Sequence, residues 1–222
     1  MLNEHIKFPQ RKIKKSYRSV TGHFPSVKNN KSVAFESLLE KAHYLCLEFD
    51  DSVIGYYEQP QVEISFNGKN VLYSVDSYVI KDKNSNLKDT LIEVKYTNEL
   101  EKRKKYFEEK FKATKDFASK YNLIFETFTE NSYSKVYLEN IDLLYRYRLK
   151  PIELKYEKEI LDIVSSNKRI TAYEISQKIS KSLVDYAKIS NDIWALVSNG
   201  QLSTELHNNE ITMNSFLELK NV

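Results

Sequence analysis

The run V-L-Y-S-V-D-S-Y-V-I (71–80), K-D-K-N-S-N (81–86), L-K-D-T-L-I-E-V-K (87–95) joins two β-rich segments through a linker of Asp, Asn and Ser. β-Branched and aromatic residues favour strands on either side, and the linker has turn chemistry, so residues 70–80 and 87–95 read as an antiparallel hairpin. If the loop is symmetric about Asn84 and Ser85, Asp76 falls opposite Glu93, and Lys95 lies two residues on along the same face. Two carboxylates and an ammonium then converge. Opposed like charges destabilise a sheet unless compensated, and a hard divalent cation held by carboxylate oxygens is one such compensation.

Working outward, residues 33–49 place Phe35, Leu38, Leu39, Ala42, Leu45, Cys46 and Phe49 at helical spacing. V-I-G-Y-Y-E-Q-P and V-E-I-S-F read as strands separated by Pro60, with N-G-K at 67–69 a hairpin turn. Residues 98–121 carry an apolar stripe on a Lys- and Glu-rich background and read as one long surface helix. L-I-F-E-T-F-T-E at 123–130 then returns as a strand, parallel to an earlier one through a crossover. The order α, β, β, β, α, β predicts an α/β fold, one mixed sheet flanked by helices. From about residue 150 the pattern becomes three short helices, with Thr171 and Glu174 forming a capping box and Gly200 a stop. Q-L-S-T-E-L and E-I-T-M-N-S-F-L-E-L could add a two-stranded wing. This predicts two domains, 1–149 and 150–222, the second small and winged-helix-like. Its acidic mix offers no clear basic recognition face, so protein docking competes with DNA contact there.

Composition narrows the function classes. The single cysteine, Cys46, allows no internal disulfide and no cysteine-based zinc cluster, and its place on the helical stripe suits core packing. His5, His23, His43 and His207 are scattered without ligand spacing. There is no apolar run of membrane-spanning length and no secretory leader pattern, which predicts a cytoplasmic chain with no membrane partner. The net charge of +3 is uneven: residues 1–30 hold seven Lys or Arg against Glu4 alone, giving +6, so the other 192 residues total −3. A basic arm interleaved with Phe8, Tyr17 and Phe24 suits a phosphate backbone.

Asp76 followed by Glu93-x-Lys95 is also the D…ExK pattern of metal-dependent nucleases. Further blocks stand in order around it: R-S-V-T-G (18–22), P-S-V-K-N (25–29), E-S-L-L-E (36–40), L-E-F-D (47–50), E-Q-P (58–60), Y-S-V-D (73–76) and E-V-K-Y (93–96). On these blocks residues 18–95 resemble the TnsA endonuclease subunit of heteromeric cut-and-paste transposases. The resemblance implies a restriction-endonuclease-like core and a fourth catalytic residue, Glu40, with Glu36 as its substitute. Helical geometry puts Glu40 away from the apolar stripe, beside Glu36, His43 and Leu47. The implied metal set is Glu40, Asp76, Glu93 and the carbonyl of Val94, holding Mg²⁺ or Mn²⁺, with Lys95 as the catalytic ammonium. Gln59 is a further candidate to line the site. Val75 and Ser77 depart from the Pro and aromatic residue that often flank the aspartate in this family. The implied activity is cleavage of the non-transferred strand at the 5′ ends of a transposon. The implied partners are double-stranded transposon-end DNA, a transposase subunit of the TnsB type, and an ATPase regulator of the TnsC type docking on the C-terminal region. A restriction enzyme, a junction resolvase or a non-catalytic DNA-binding adaptor are the rival readings.

Overall fold

The computed structural model describes residues 3–8, 20–149, 153–167 and 169–220. Five of the seven basic residues of the arm, Arg11, Lys12, Lys14, Lys15 and Arg18, together with Tyr17, lie outside the described residues. The chain divides into two compact units, Met1–Ser132 and Tyr133–Val222. Among the described residues, no helix is long and apolar enough to cross a membrane.

In the first unit, β1 (Gly22–Ser26) and β2 (Lys31–Phe35) form an antiparallel hairpin that leads into helix α1 (Leu38–Phe49). The helix therefore begins five residues later than the expected 33–49. Val33 and Phe35 are buried from a strand, where alternation serves as well as helical spacing, and Ser37 caps the helix by accepting from the Glu40 amide. The buried side of α1 includes Glu40, His43 and Leu47, whereas Leu38 of the expected apolar stripe is 55 % exposed.

Four strands follow: β3 (Val53–Glu58), β4 (Gln61–Phe66), β5 (Lys69–Ser74) and β6 (Ser77–Lys81). β3 pairs with β6 and β4 with β5, and Glu58↔Ser77 and Gln61↔Ser74 lie in one continuous register. They are the two arms of one long hairpin. Its tip is Asn67-Gly68, both at positive φ (52° and 71°), the backbone that an Asn-Gly turn supplies. The arms break at the same level. Gln59 has φ 47° and Pro60 has no N–H to donate, and opposite them Val75 and Asp76 leave the ladder, so the strand expected over 70–80 is interrupted there. Two backbone bonds bridge the gap, Gln59 N–H to the Asp76 carbonyl (3.0 Å) and Val75 N–H to the Pro60 carbonyl (2.9 Å).

β7 (Thr90–Val94) pairs antiparallel with β6, and the chain then crosses through α2 (Thr97–Lys102) and α3 (Lys104–Lys120) to β8 (Ile124–Phe128), parallel to β7. The sheet order β3-β6-β7-β8 is the expected mixed sheet. The crossover is two helices rather than one. Arg103 breaks it at φ −123°, its guanidinium lying 4.2 Å from the Tyr106 ring centre.

The second unit contains α4 (Lys135–Leu149), α5 (Glu157–Ser165), β9 (Ile170–Thr171), α6 (Ala172–Ile179), α7 (Leu183–Ser198), β10 (Leu202–Ser203) and β11 (Phe216–Leu219). α4 belongs here because it packs on α7, where the Ser198 hydroxyl donates to the Leu144 carbonyl at 2.8 Å. The units therefore meet at Ser132 and Tyr133 rather than near residue 150. Thr171 and Glu174 form the expected capping box, and Gly200 follows α7 at φ 76°. The small sheet has three strands in the order β10-β11-β9, since Ile170–Thr171 joins the two strands expected. Asn140 ties α4 to the loop before β11: its amide donates to the Leu206 and Asn209 carbonyls (2.8 Å each), and its oxygen accepts from Ile211 N–H (3.0 Å). Asn140→Ala, removing three hydrogen bonds of a buried side chain, is expected to destabilise this unit by roughly 3 kcal/mol in a urea titration of the full chain.

Candidate active site

The break in the long hairpin positions the aspartate. The last rung between β6 and β7 is Ser77↔Ile92, and one step further along the same register sets Asp76 across from Glu93. Past that rung, the Asp76 carboxylate replaces a strand carbonyl, its Oδ2 accepting from Val94 N–H at 2.7 Å. Backbone geometry therefore fixes the side chain.

Lys95 lies at the centre of the group. Its Nζ is 2.9 Å from Asp76 Oδ2 and 3.0 Å from Glu93 Oε1, and it donates to the Val94 carbonyl at 3.0 Å. Burial alone would lower its pKa, but Asp76 and Glu93 outweigh burial and raise it above that of an ordinary lysine, so it stays an ammonium at neutral pH. Glu93 is 3 % exposed. Burial, joined by the charge of Asp76, pushes its pKa from 4.5 to about 7 against the pull of Lys95. Its second oxygen, Oε2, is buried and has no hydrogen-bond partner.

Glu40 occupies the first turn of α1. Its Oε2 accepts from Glu36 N–H (2.9 Å) and its Oε1 from the Ser37 hydroxyl (3.2 Å), so it closes the N-terminus of the helix as well as facing the site. Burial pushes its pKa from 4.5 to about 7; the Glu36 amide pulls it down and the charge of Asp76 adds to the rise. Glu36 supports Glu40 through its backbone. Gln59 holds Asp76 through its own backbone amide.

Two residues to which the sequence reading gave no role at the site also belong to its framework. His43, one turn after Glu40, bonds the Ser77 hydroxyl through Nε2 at 2.8 Å and so ties α1 to β6 beside Asp76. Burial pushes its pKa down to about 3, keeping the imidazole neutral. Ser77, a departure from the family pattern, thus supplies the anchor for that histidine. Tyr73, on β5, neighbours Glu93, and its buried hydroxyl has no hydrogen-bond partner. Cys46, by contrast, is partly buried and its thiol is pushed up to about 12 by burial, which leaves it unreactive.

The donor set around Lys95 consists of carboxylate and carbonyl oxygens, the chemistry that Mg²⁺ and Mn²⁺ take. The ammonium itself sits against Asp76, Glu93 and the Val94 carbonyl as a stand-in cation, and the unpartnered Glu93 Oε2 leaves a further oxygen. The residues fit a hard divalent ion. Among the described residues, no three His, Cys, Asp or Glu side chains are grouped as a metal cage.

Comparison with known families agrees with this chemistry. Residues 50–130 match the family model described as the TnsA-like endonuclease N-terminal domain. The match takes in Asp76, Glu93, Val94 and Lys95 and begins after Glu40. No curated protein matches the chain.

Proposed function

We propose that the protein is the metal-dependent DNA endonuclease subunit of a heteromeric transposase, starting from the match of residues 50–130 to the TnsA-like endonuclease N-terminal domain. The observation that carries the proposal is the contact of Lys95 Nζ with Asp76, Glu93 and the Val94 carbonyl in one place. Asp76, Glu93 and the Val94 carbonyl, with Glu40 drawn in alongside, would hold Mg²⁺, for which Mn²⁺ substitutes. When bound, such an ion lowers the pKa of water and neutralises charge on a phosphate.

The chain's own groups do the rest. Lys95 orients the attacking water and meets the negative charge that grows as the water oxygen bonds phosphorus and the phosphorus–oxygen bond to the leaving strand breaks. Asp76, clamped by Val94 N–H, keeps the ammonium aimed. A lysine suits this role because its charge is compact and its flexible stem lets neighbouring carboxylates set where the ammonium sits.

The cut falls on the non-transferred strand at the 5′ transposon ends, while a transposase subunit of the TnsB type handles the 3′ ends. The second unit, read as winged-helix-like from its order of helices and short strands, would receive an ATPase regulator of the TnsC type. The exposed Leu183 and Val184 at the start of α7 support a protein-docking role.

The test is strand-specific nicking of end-labelled transposon DNA by the full chain with its neighbouring transposase, in Mg²⁺, in Mn²⁺ and in chelator. Metal-dependent cuts confined to the 5′ ends are expected. Equal cutting without any transposase would favour a restriction enzyme or junction resolvase, and binding without cutting in every condition would leave only an adaptor.

A further inference from the structure

We infer that Tyr73 is a positioning residue for Glu93, its hydroxyl donating to the carboxylate oxygen that Lys95 does not engage when the site holds a divalent cation. The inference rests on the nuclease reading above and adds to it a residue that makes no contact with the reacting atoms.

Two buried atoms without partners carry the argument. Glu93 Oε1 is committed to Lys95 at 3.0 Å, and Oε2 is enclosed with nothing to accept from. The Tyr73 hydroxyl is likewise enclosed with no hydrogen-bond partner. An unpaired buried acceptor beside an unpaired buried donor is costly on both sides, and a small approach of the two side chains relieves both. A phenylalanine at residue 73 would fill the same space without the unpaired hydroxyl. The hydroxyl is therefore unexplained by packing alone.

The ring is held from the other side. Lys110 Nζ of α3 lies 3.7 Å from its centre and also donates to the Tyr106 hydroxyl at 3.1 Å. Burial, then the charge of Glu93, keep the phenol protonated, so it can donate at any working pH. A hydrogen bond to Oε2 would leave Oε1 alone to face the cation, making Glu93 a one-oxygen ligand of fixed orientation. This is the orienting role that outer groups play around metal-binding carboxylates.

The experiment measures Mn²⁺ binding to the full chain without DNA, by the electron paramagnetic resonance signal of free Mn²⁺, alongside thermal melting of the metal-free protein. Tyr73→Phe is expected to raise the Mn²⁺ dissociation constant about tenfold. Its metal-free melting temperature should be unchanged or higher, because one unpaired buried hydroxyl is gone. A variant that binds Mn²⁺ within about twofold of wild type, while Asp76→Ala abolishes binding, would overturn the positioning role and leave the metal site standing. A large fall in metal-free melting temperature would reassign Tyr73 to structure and also overturn it. If the wild type itself takes no Mn²⁺, the metal reading fails and this inference fails with it.

Discussion

Asp76→Ala and Lys95→Ala are expected to silence cleavage in opposite ways. In Lys95→Ala the rate should fall on the order of 10²- to 10³-fold, the loss that follows removal of one donor aimed at developing charge. Mn²⁺ should nevertheless bind as tightly as in wild type or more tightly, because the ammonium that now touches Asp76 Oδ2, Glu93 Oε1 and the Val94 carbonyl no longer competes for those oxygens. Asp76→Ala should lose both activities together. It removes a ligand oxygen and also leaves Val94 N–H without its acceptor. The comparison belongs at pH 8, where Glu40 and Glu93 are ionised despite their raised pKa values. Nicking assays and Mn²⁺ titration of the same preparations read the two effects separately. If Lys95→Ala loses Mn²⁺ binding as completely as Asp76→Ala, the lysine is a structural clamp for the carboxylates and its catalytic role is refuted.

The hairpin register was legible because a symmetric turn about Asn84 and Ser85 has one consequence, and the rung Ser77↔Ile92 is the one it requires. The parallel return of β8 was legible for a similar reason: a crossover of more than twenty residues leaves few alternatives. What escaped was set by tertiary contact. Val33 and Phe35 suit a strand or a helix by period, and only pairing with β1 decides between them. Pro60 signalled a break in its own strand, but nothing local to Val75 and Asp76 signalled the matching break opposite, which comes from their partners across the hairpin. Thr129 to Ser134 has turn chemistry and separates α4 from the nuclease core, but the sharper change of pattern near residue 150 outweighs it in the sequence, so α4 falls on the wrong side of the expected boundary. In the candidate site, strand alternation predicts Asp76 across from Glu93, but not the break in the ladder that turns the Asp76 carboxylate onto Val94 N–H. The double duty of Glu40, closing α1 through Glu36 and Ser37 while facing Asp76, escaped because α1 is buried on most of its circumference, at Glu40, His43 and Leu47 as well as at Leu39, Ala42 and Leu45 of the expected stripe, which a one-sided apolar pattern does not reveal.

The raised pKa of Glu40 makes a prediction about stability that is independent of DNA. An unfolded chain releases this proton near 4.5, whereas the folded chain keeps it to about 7. Between those values the folded state binds more protons, so raising the pH favours unfolding: the contribution is fully present below about pH 4.5 and is lost as the pH climbs through 7. The size is on the order of 3 kcal/mol for this one residue. His43 works against it, since its pKa is pushed down to about 3 and the unfolded chain takes up a proton below 6.5 that the folded chain refuses. Wild type alone would therefore mask the effect. Comparison with Glu40→Gln cancels the histidine, because both proteins carry it. The variant should lose stability relative to wild type at pH 4.5 or gain little, and should be the more stable of the two at pH 8, the difference changing by on the order of 3 kcal/mol across that range in urea titrations without metal. Saturating Mn²⁺ should shrink the wild-type deficit at pH 8, because a cation that needs ionised carboxylates offsets the cost of burying them. A stability difference that does not move with pH would mean that Glu40 is ionised throughout, serving only as the cap of α1.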